Sequence, residues 1–148
     1  MSARDVVSSE PIRNIMIKKV TSIAPTEPVL KAAKLMYDGK IGSIVVKKGS
    51  RLAGIVTERD ILRCVAEESS PADVMVASIM TKDVVTCGPD TTVLEVLELM
   101  NENHVRHLPI VHKGKVIGIV SARDLGRRIA QTQKIFLPEA FGEVLGEI

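Results

Sequence analysis

Apolar residues along the chain change period in a fixed order. Val20–Ala24 is a short β-rich run, closed by a proline-containing turn at Pro25–Pro28. From Val29 to Lys40 the apolar residues fall at helical spacing, with Val29, Ala33 and Met36 on one face. Two β-branched runs, Ile44–Val46 and Leu52–Val56, then flank a glycine-bearing turn at Lys48–Arg51. A last helix is expected to start near Glu58. The same order then recurs. Val84–Cys87 is β-rich, Gly88–Thr92 is a turn, and Val93–His104 is helical through Val93, Leu97 and Met100. Leu108–Val111 and Val116–Val120 flank a turn at His112–Lys115, and a helix starts near Ala122. Each copy is preceded by a short helix ending at Met16 or Met80, and Pro11 suits the first turn of the first one.

The recurrence is a duplication. A shift of 64 residues lays Ile15–Ala66 on Ile79–Ala130 without a gap, with 16 identities in 52 positions. Ordinary composition would give roughly 3 by chance. The identities include Met16/Met80, Gly54/Gly118, Arg59/Arg123, Asp60/Asp124 and Arg63/Arg127. The fold class expected is α+β, a tandem pseudo-symmetric pair of βαββα units packed sheet to sheet. One unit of this size buries little surface alone, whereas two can bury both sheets. The boundaries expected are residues 11–68 and 74–131, joined by a linker at Glu67–Asp73. Residues 132–148 have no counterpart in the first copy. Phe136, Leu137, Phe141, Val144, Leu145 and Ile148 make them apolar enough to form a docked, helical tail.

Composition narrows the functions. Aromatics are 2% of the 148 residues, so the core is aliphatic and single-stranded nucleic acid has few platforms for base stacking. A net charge of +2 with acids and bases interspersed gives duplex nucleic acid or an anionic membrane little to hold. No apolar run approaches the ~20 residues that span a bilayer, and Met1–Glu10 has no apolar signal core. Cys64 and Cys87 lack close CxxC spacing and read as reduced thiols of a cytoplasmic protein, with a disulfide between them as the alternative.

The most specific strings are Gly54-Ile55-Val56-Thr57-Glu58-Arg59-Asp60 and Gly118-Ile119-Val120-Ser121-Ala122-Arg123-Asp124. Both fall where a strand becomes a helix. One reading is structural: Thr57 and Ser121 cap a helix, and Asp60 and Asp124 complete capping boxes. The other is functional. Unpaired N–H groups at a helix start favour phosphate, a hydroxyl at the cap can reach a ribose, and a carboxylate can accept from a ribose diol.

These strings, closing βαββα units in tandem, resemble the nucleotide signature of CBS domains. Val105-Arg106-His107-Leu108-Pro109-Ile110-Val111 resembles that family's second-strand segment. The resemblance spans about Ile12 to Ala130. It implies a non-catalytic regulatory module that binds an adenine nucleotide (AMP, ADP or ATP) between its copies and signals to a partner protein by changing conformation. By position, one cleft would use Ile17, Thr21, Gly42 and Ser43 with Ser121 and Asp124. The other would use Thr81, Val85, Arg106 and His107 with Thr57 and Asp60. Pro109 lies in the same strand segment, and Arg59 and Arg123 stand beside the aspartates, where they could meet phosphate. The first copy has Gly42 and Ser43 in place of Arg106 and His107, so unequal clefts are expected. A homodimer is also implied.

No Walker loop or nucleophile motif is present, and an enzyme is not expected. His104, His107 and His112 are close in sequence, but fall at a helix end, a strand start and a turn, which disfavours a metal site. The alternatives are a ligand-free dimerisation module, S-adenosylmethionine in the same clefts, or a nucleic-acid-binding regulator. The last rests only on the basic pairs Lys18–Lys19, Lys47–Lys48 and Arg127–Arg128.

Overall fold

The computed structural model describes residues 3–132 of the chain. In chain order these form α1 (Ala3–Ser8), a 3-10 turn at Ile12–Asn14, β1 (Ser22–Ile23), α2 (Val29–Gly39), β2 (Ser43–Lys48), β3 (Arg51–Thr57), α3 (Glu58–Ala66), α4 (Val76–Ile79), α5 (Val93–Asn103), β4 (His107–His112), β5 (Lys115–Ser121) and α6 (Ala122–Thr132). The architecture is α+β. The expected tail lies outside the described residues except for Thr132, at the end of α6.

Two compact units result, and each takes its lead-in from the other repeat. The first-copy unit comprises Lys19–Val84 with Lys113–Val116. Of the described residues, the second-copy unit comprises residues 3–18, Val85–His112 and residues 117–132. Thus the segment before the second copy is built into the first-copy unit, and the segment before the first copy into the second-copy unit.

In the first-copy unit the sheet order is β1-β2-β3. β1 runs parallel to β2, with Ser22 opposite Val45, and β2 runs antiparallel to β3, with Ser43 opposite Thr57. The hairpin turns at Gly49, whose φ of +66° suits a residue without Cβ. α2 buries Val29, Ala32 and Met36 at helical spacing. It ends one residue before the expected Lys40, which caps it at φ +52° and donates its N–H to the Met36 and Tyr37 carbonyls. The lead-in α4 joins through backbone bonds. Val29 N–H donates to Val74 O at 2.8 Å, and Thr81 and Ile55 exchange N–H···O bonds of 2.9 and 3.0 Å. Ile23, Val29, Ile44, Val46, Val56, Cys64, Val76 and Ile79 form the core, so α4 supplies two of its members.

The second-copy unit repeats this plan. Val93 N–H donates to Glu10 O at 3.0 Å, and Ile17 and Ile119 exchange bonds of 2.8 and 3.0 Å. Ile12, Val93, Val96, Met100, Leu108, Ile110, Val120 and Leu125 form its core, and α1 adds Val7. One expected strand is not formed here. Val84–Cys87 makes only a bridge from Cys87 to Ile110. The cause is Pro109. Its counterpart Val45 donates an N–H to Thr21 O at 3.2 Å, and proline has no N–H to give Val85. What remains is Val111 N–H donating to Cys87 O at 2.8 Å and Cys87 N–H donating to Pro109 O at 3.3 Å.

Candidate functional site

In the first-copy unit the signature sits where β3 hands over to α3. Thr57 is extended, with φ −114° and ψ 167°, and caps the helix. Its N–H donates to Asp60 Oδ2 at 2.8 Å, and its hydroxyl donates to the same oxygen at 3.1 Å. Asp60 is buried, 7% exposed, and Arg63 approaches its Oδ1 at 3.4 Å. Burying a polar side chain is costly unless its hydrogen bonds are met, and these contacts meet them. The capping box is therefore present, and the structural reading of the motif holds in this unit.

The second-copy unit builds the same turn differently. Ser121 N–H donates to Asp124 Oδ2 at 2.8 Å, and Asp124 N–H donates to Ser121 Oγ at 3.1 Å. Asp124 is less buried than Asp60. Among the described residues its Oδ1 has no hydrogen-bond partner, so this carboxylate keeps an acceptor in reserve.

Two lead-in residues pair with the strands that end at the caps. Ile17 pairs with Ile119, two residues before Ser121, and Thr81 pairs with Ile55, two residues before Thr57. Both are exposed. The strand-start residues pair within their own hairpins. Ser43, expected in a site with Ser121 and Asp124, lies opposite Thr57 in the sheet, and Gly42 O accepts the Glu58 N–H at 3.1 Å. The carbonyl of Arg106, expected in a site with Thr57 and Asp60, accepts the Ala122 N–H at 2.8 Å, and His107 opens β4 in the same unit. A tight turn places the start of one strand against the end of the next.

Thr21 and Val85 fall in the first- and second-copy units respectively. Ser43 is buried and Arg106 exposed. Arg59 and Arg123 are exposed on the first turns of α3 and α6. Pro109 is buried in β4, where its role in shortening the sheet is structural. No group of His, Cys, Asp and Glu among the described residues could hold a metal. Sequence reasoning passed over a pocket of about 310 Å³ beside α6, lined by Asn14, Ile15, Asp124, Arg127, Arg128 and Gln131. The repeat alignment shows only that the lining differs from the first copy, with Cys64 replaced by Arg128 and Glu67 by Gln131.

No helix among the described residues is long and apolar enough to cross a membrane. The family model described as "CBS domain" matches residues 12–67 and 76–131. A relative described as an uncharacterized 17.7 kDa protein from Acidianus ambivalens is 38% identical over 137 residues, 91% of this chain and 82% of that one. The crystal structure of an uncharacterized conserved protein from Pyrococcus horikoshii is similar at 33% identity and a TM-score of 0.76, covering 82% of this chain and 93% of that one. The CBS domain pair of protein MJ0100, solved with 5-methylthioadenosine and S-adenosyl-L-methionine, shares the fold at 24% identity and a TM-score of 0.77, covering 82% and 97%. The chain belongs to the CBS-domain family and carries two CBS domains in tandem.

Proposed function

We propose that the protein is a non-catalytic regulatory module that binds adenine nucleotides (AMP, ADP or ATP) at its two strand-to-helix turns and signals to a partner protein through a change of conformation. The observation that carries this reading is the duplicated cap. Each of Asp60 and Asp124 is held by an amide 2.8 Å away, at a strand end that also carries a hydroxyl. A carboxylate fixed in this way is pre-organised to accept from a ribose diol. The ligands of the MJ0100 pair, both adenosyl compounds, support the same class here. Arg106 and His107 supply phosphate partners in the second-copy unit. The corresponding Gly42 and Ser43 supply none, so the two turns differ in ligand preference. Homodimerisation and a cytoplasmic setting belong to this reading.

A thermal-shift panel with AMP, ADP, ATP, adenosine and S-adenosylmethionine tests it. A ligand at 100 times its Kd stabilises by about 2.7 kcal/mol, so adenine nucleotides are expected to raise Tm by several degrees. A response to S-adenosylmethionine alone would reassign the ligand. A flat response at millimolar concentrations would remove the nucleotide reading. It would favour a ligand-free association module instead, for which the exposed Tyr37, Leu62 and Val65 of α2 and α3 are the supporting observation.

A further inference from the structure

Arg63 and Arg127 are related by the repeat but are used differently. Arg63 is spoken for: one terminal nitrogen donates to Ile79 O at 3.2 Å and lies 3.4 Å from Asp60 Oδ1. It ties α3 to the end of α4. Arg127 makes no hydrogen bond or ion pair among the described residues. It stands exposed at the wall of the 310 Å³ pocket, with Asn14, Ile15, Asp124, Arg128 and Gln131.

The charge around that pocket has been altered relative to the first copy. Glu67 is replaced by Gln131 and the buried thiol of Cys64 by Arg128. Arg128 forks onto Glu10 with bonds of 2.9 and 3.1 Å, which balances its charge and orients it. Arg127 is left as the uncommitted cation of a pocket that Asp124 also lines. An unpaired guanidinium in a concave site favours a planar or tetrahedral oxyanion that can take two of its N–H groups. A volume of about 310 Å³ is at the lower end of small-molecule sites. That suits a sugar phosphate rather than a peptide.

We infer that this pocket is a phosphate subsite. Arg127 receives the phosphate of a phosphorylated nucleoside whose ribose hydroxyl reaches Asp124, and the amides of Asn14 and Gln131 donate to the remaining phosphate oxygens. Arg63 is a structural arginine with no such role. The inference rests on the nucleotide reading and adds to it a specificity residue. Arg127 thereby adds to Arg106 and His107 a further group by which the second-copy unit discriminates AMP from adenosine.

The test is calorimetry of the full chain with AMP and with adenosine, for the parent protein, Arg127→Gln, Gln131→Glu and Arg63→Gln. Loss of one charge-assisted contact is expected to weaken AMP by about tenfold or more in Arg127→Gln while adenosine stays within about twofold. Gln131→Glu restores the acid of the first copy at an exposed position and is expected to weaken AMP selectively too. Arg63→Gln is expected to lower Tm and leave the AMP-to-adenosine ratio unchanged. If either pocket variant binds AMP and adenosine in the parental ratio, the phosphate subsite is wrong and the nucleotide reading survives. If the parent binds neither compound, both fall together.

Discussion

Thr57 and Asp60 hold one another across the start of α3, with the Thr57 amide 2.8 Å and its hydroxyl 3.1 Å from a single carboxylate oxygen. The aspartate therefore supports the fold before it meets any ligand. Capping residues contribute about 0.5–2 kcal/mol, and Asp60→Ala is expected to lose an amount in that range in urea denaturation. Asp60→Asn keeps an acceptor for the amide and is expected to lose less. Equal losses in the two variants would contradict the hydrogen-bonding account.

Gly54 is required by close approach. A Cβ there would lie 2.8 Å from the backbone oxygen of Thr81, which is fixed by its pairing with Ile55. Overpacking of this kind costs about 1–3 kcal/mol, so Gly54→Ala is expected to lower Tm clearly. At the repeat-related Gly118 the obstacle is the side chain of Met16. Because that side chain can move, Gly118→Ala is expected to cost less. A Gly54→Ala protein melting with the parent would show that the α4 lead-in does not sit against β3.

Cys87 is half-buried, and burial raises its thiol above the ordinary value, opposed in part by a hydrogen bond with Thr91. The neutral thiol thus persists to higher pH in the folded protein than in the unfolded chain. The thiolate is the reactive form, so labelling of native protein at pH 8 is expected to be slower than that of a free cysteine and to accelerate as pH rises further. Cys64 is 2% exposed and is expected to label only on unfolding. Two fast-reacting thiols in native protein at pH 8 would contradict both placements.

The hydrophobic periods predict the helices and hairpins closely because those elements depend on local spacing. α2 and α5 each stop one residue short of the expected end, at the left-handed Lys40 and His104. The exchange of lead-ins was not legible. It rests on pairs such as Ile17–Ile119 and Thr81–Ile55, which are backbone bonds between ordinary residues far apart in sequence. The loss of a strand at Val84–Cys87 was legible in principle, since Pro109 stands in the neighbouring strand where Val45 donates in the first copy. The grouping of Gly42 and Ser43 with Thr57 was legible too. The two segments lie at nearly equal distances on either side of the Gly49–Ser50 turn, offset by a bulge between Val46 and Lys47, and a hairpin brings such positions opposite one another. The pocket beside α6 needed the structure. A free arginine is recognised only by the partners it lacks.

The most direct test of the central claim is calorimetric titration of AMP into the parent chain, Asp60→Asn and Asp124→Asn. Removing the charge from one aspartate is expected to weaken the affected site by roughly 10- to 150-fold, the equivalent of ~1.5–3 kcal/mol. The larger loss is expected for Asp124, whose second oxygen is open. Affinity unchanged in both variants would contradict the account.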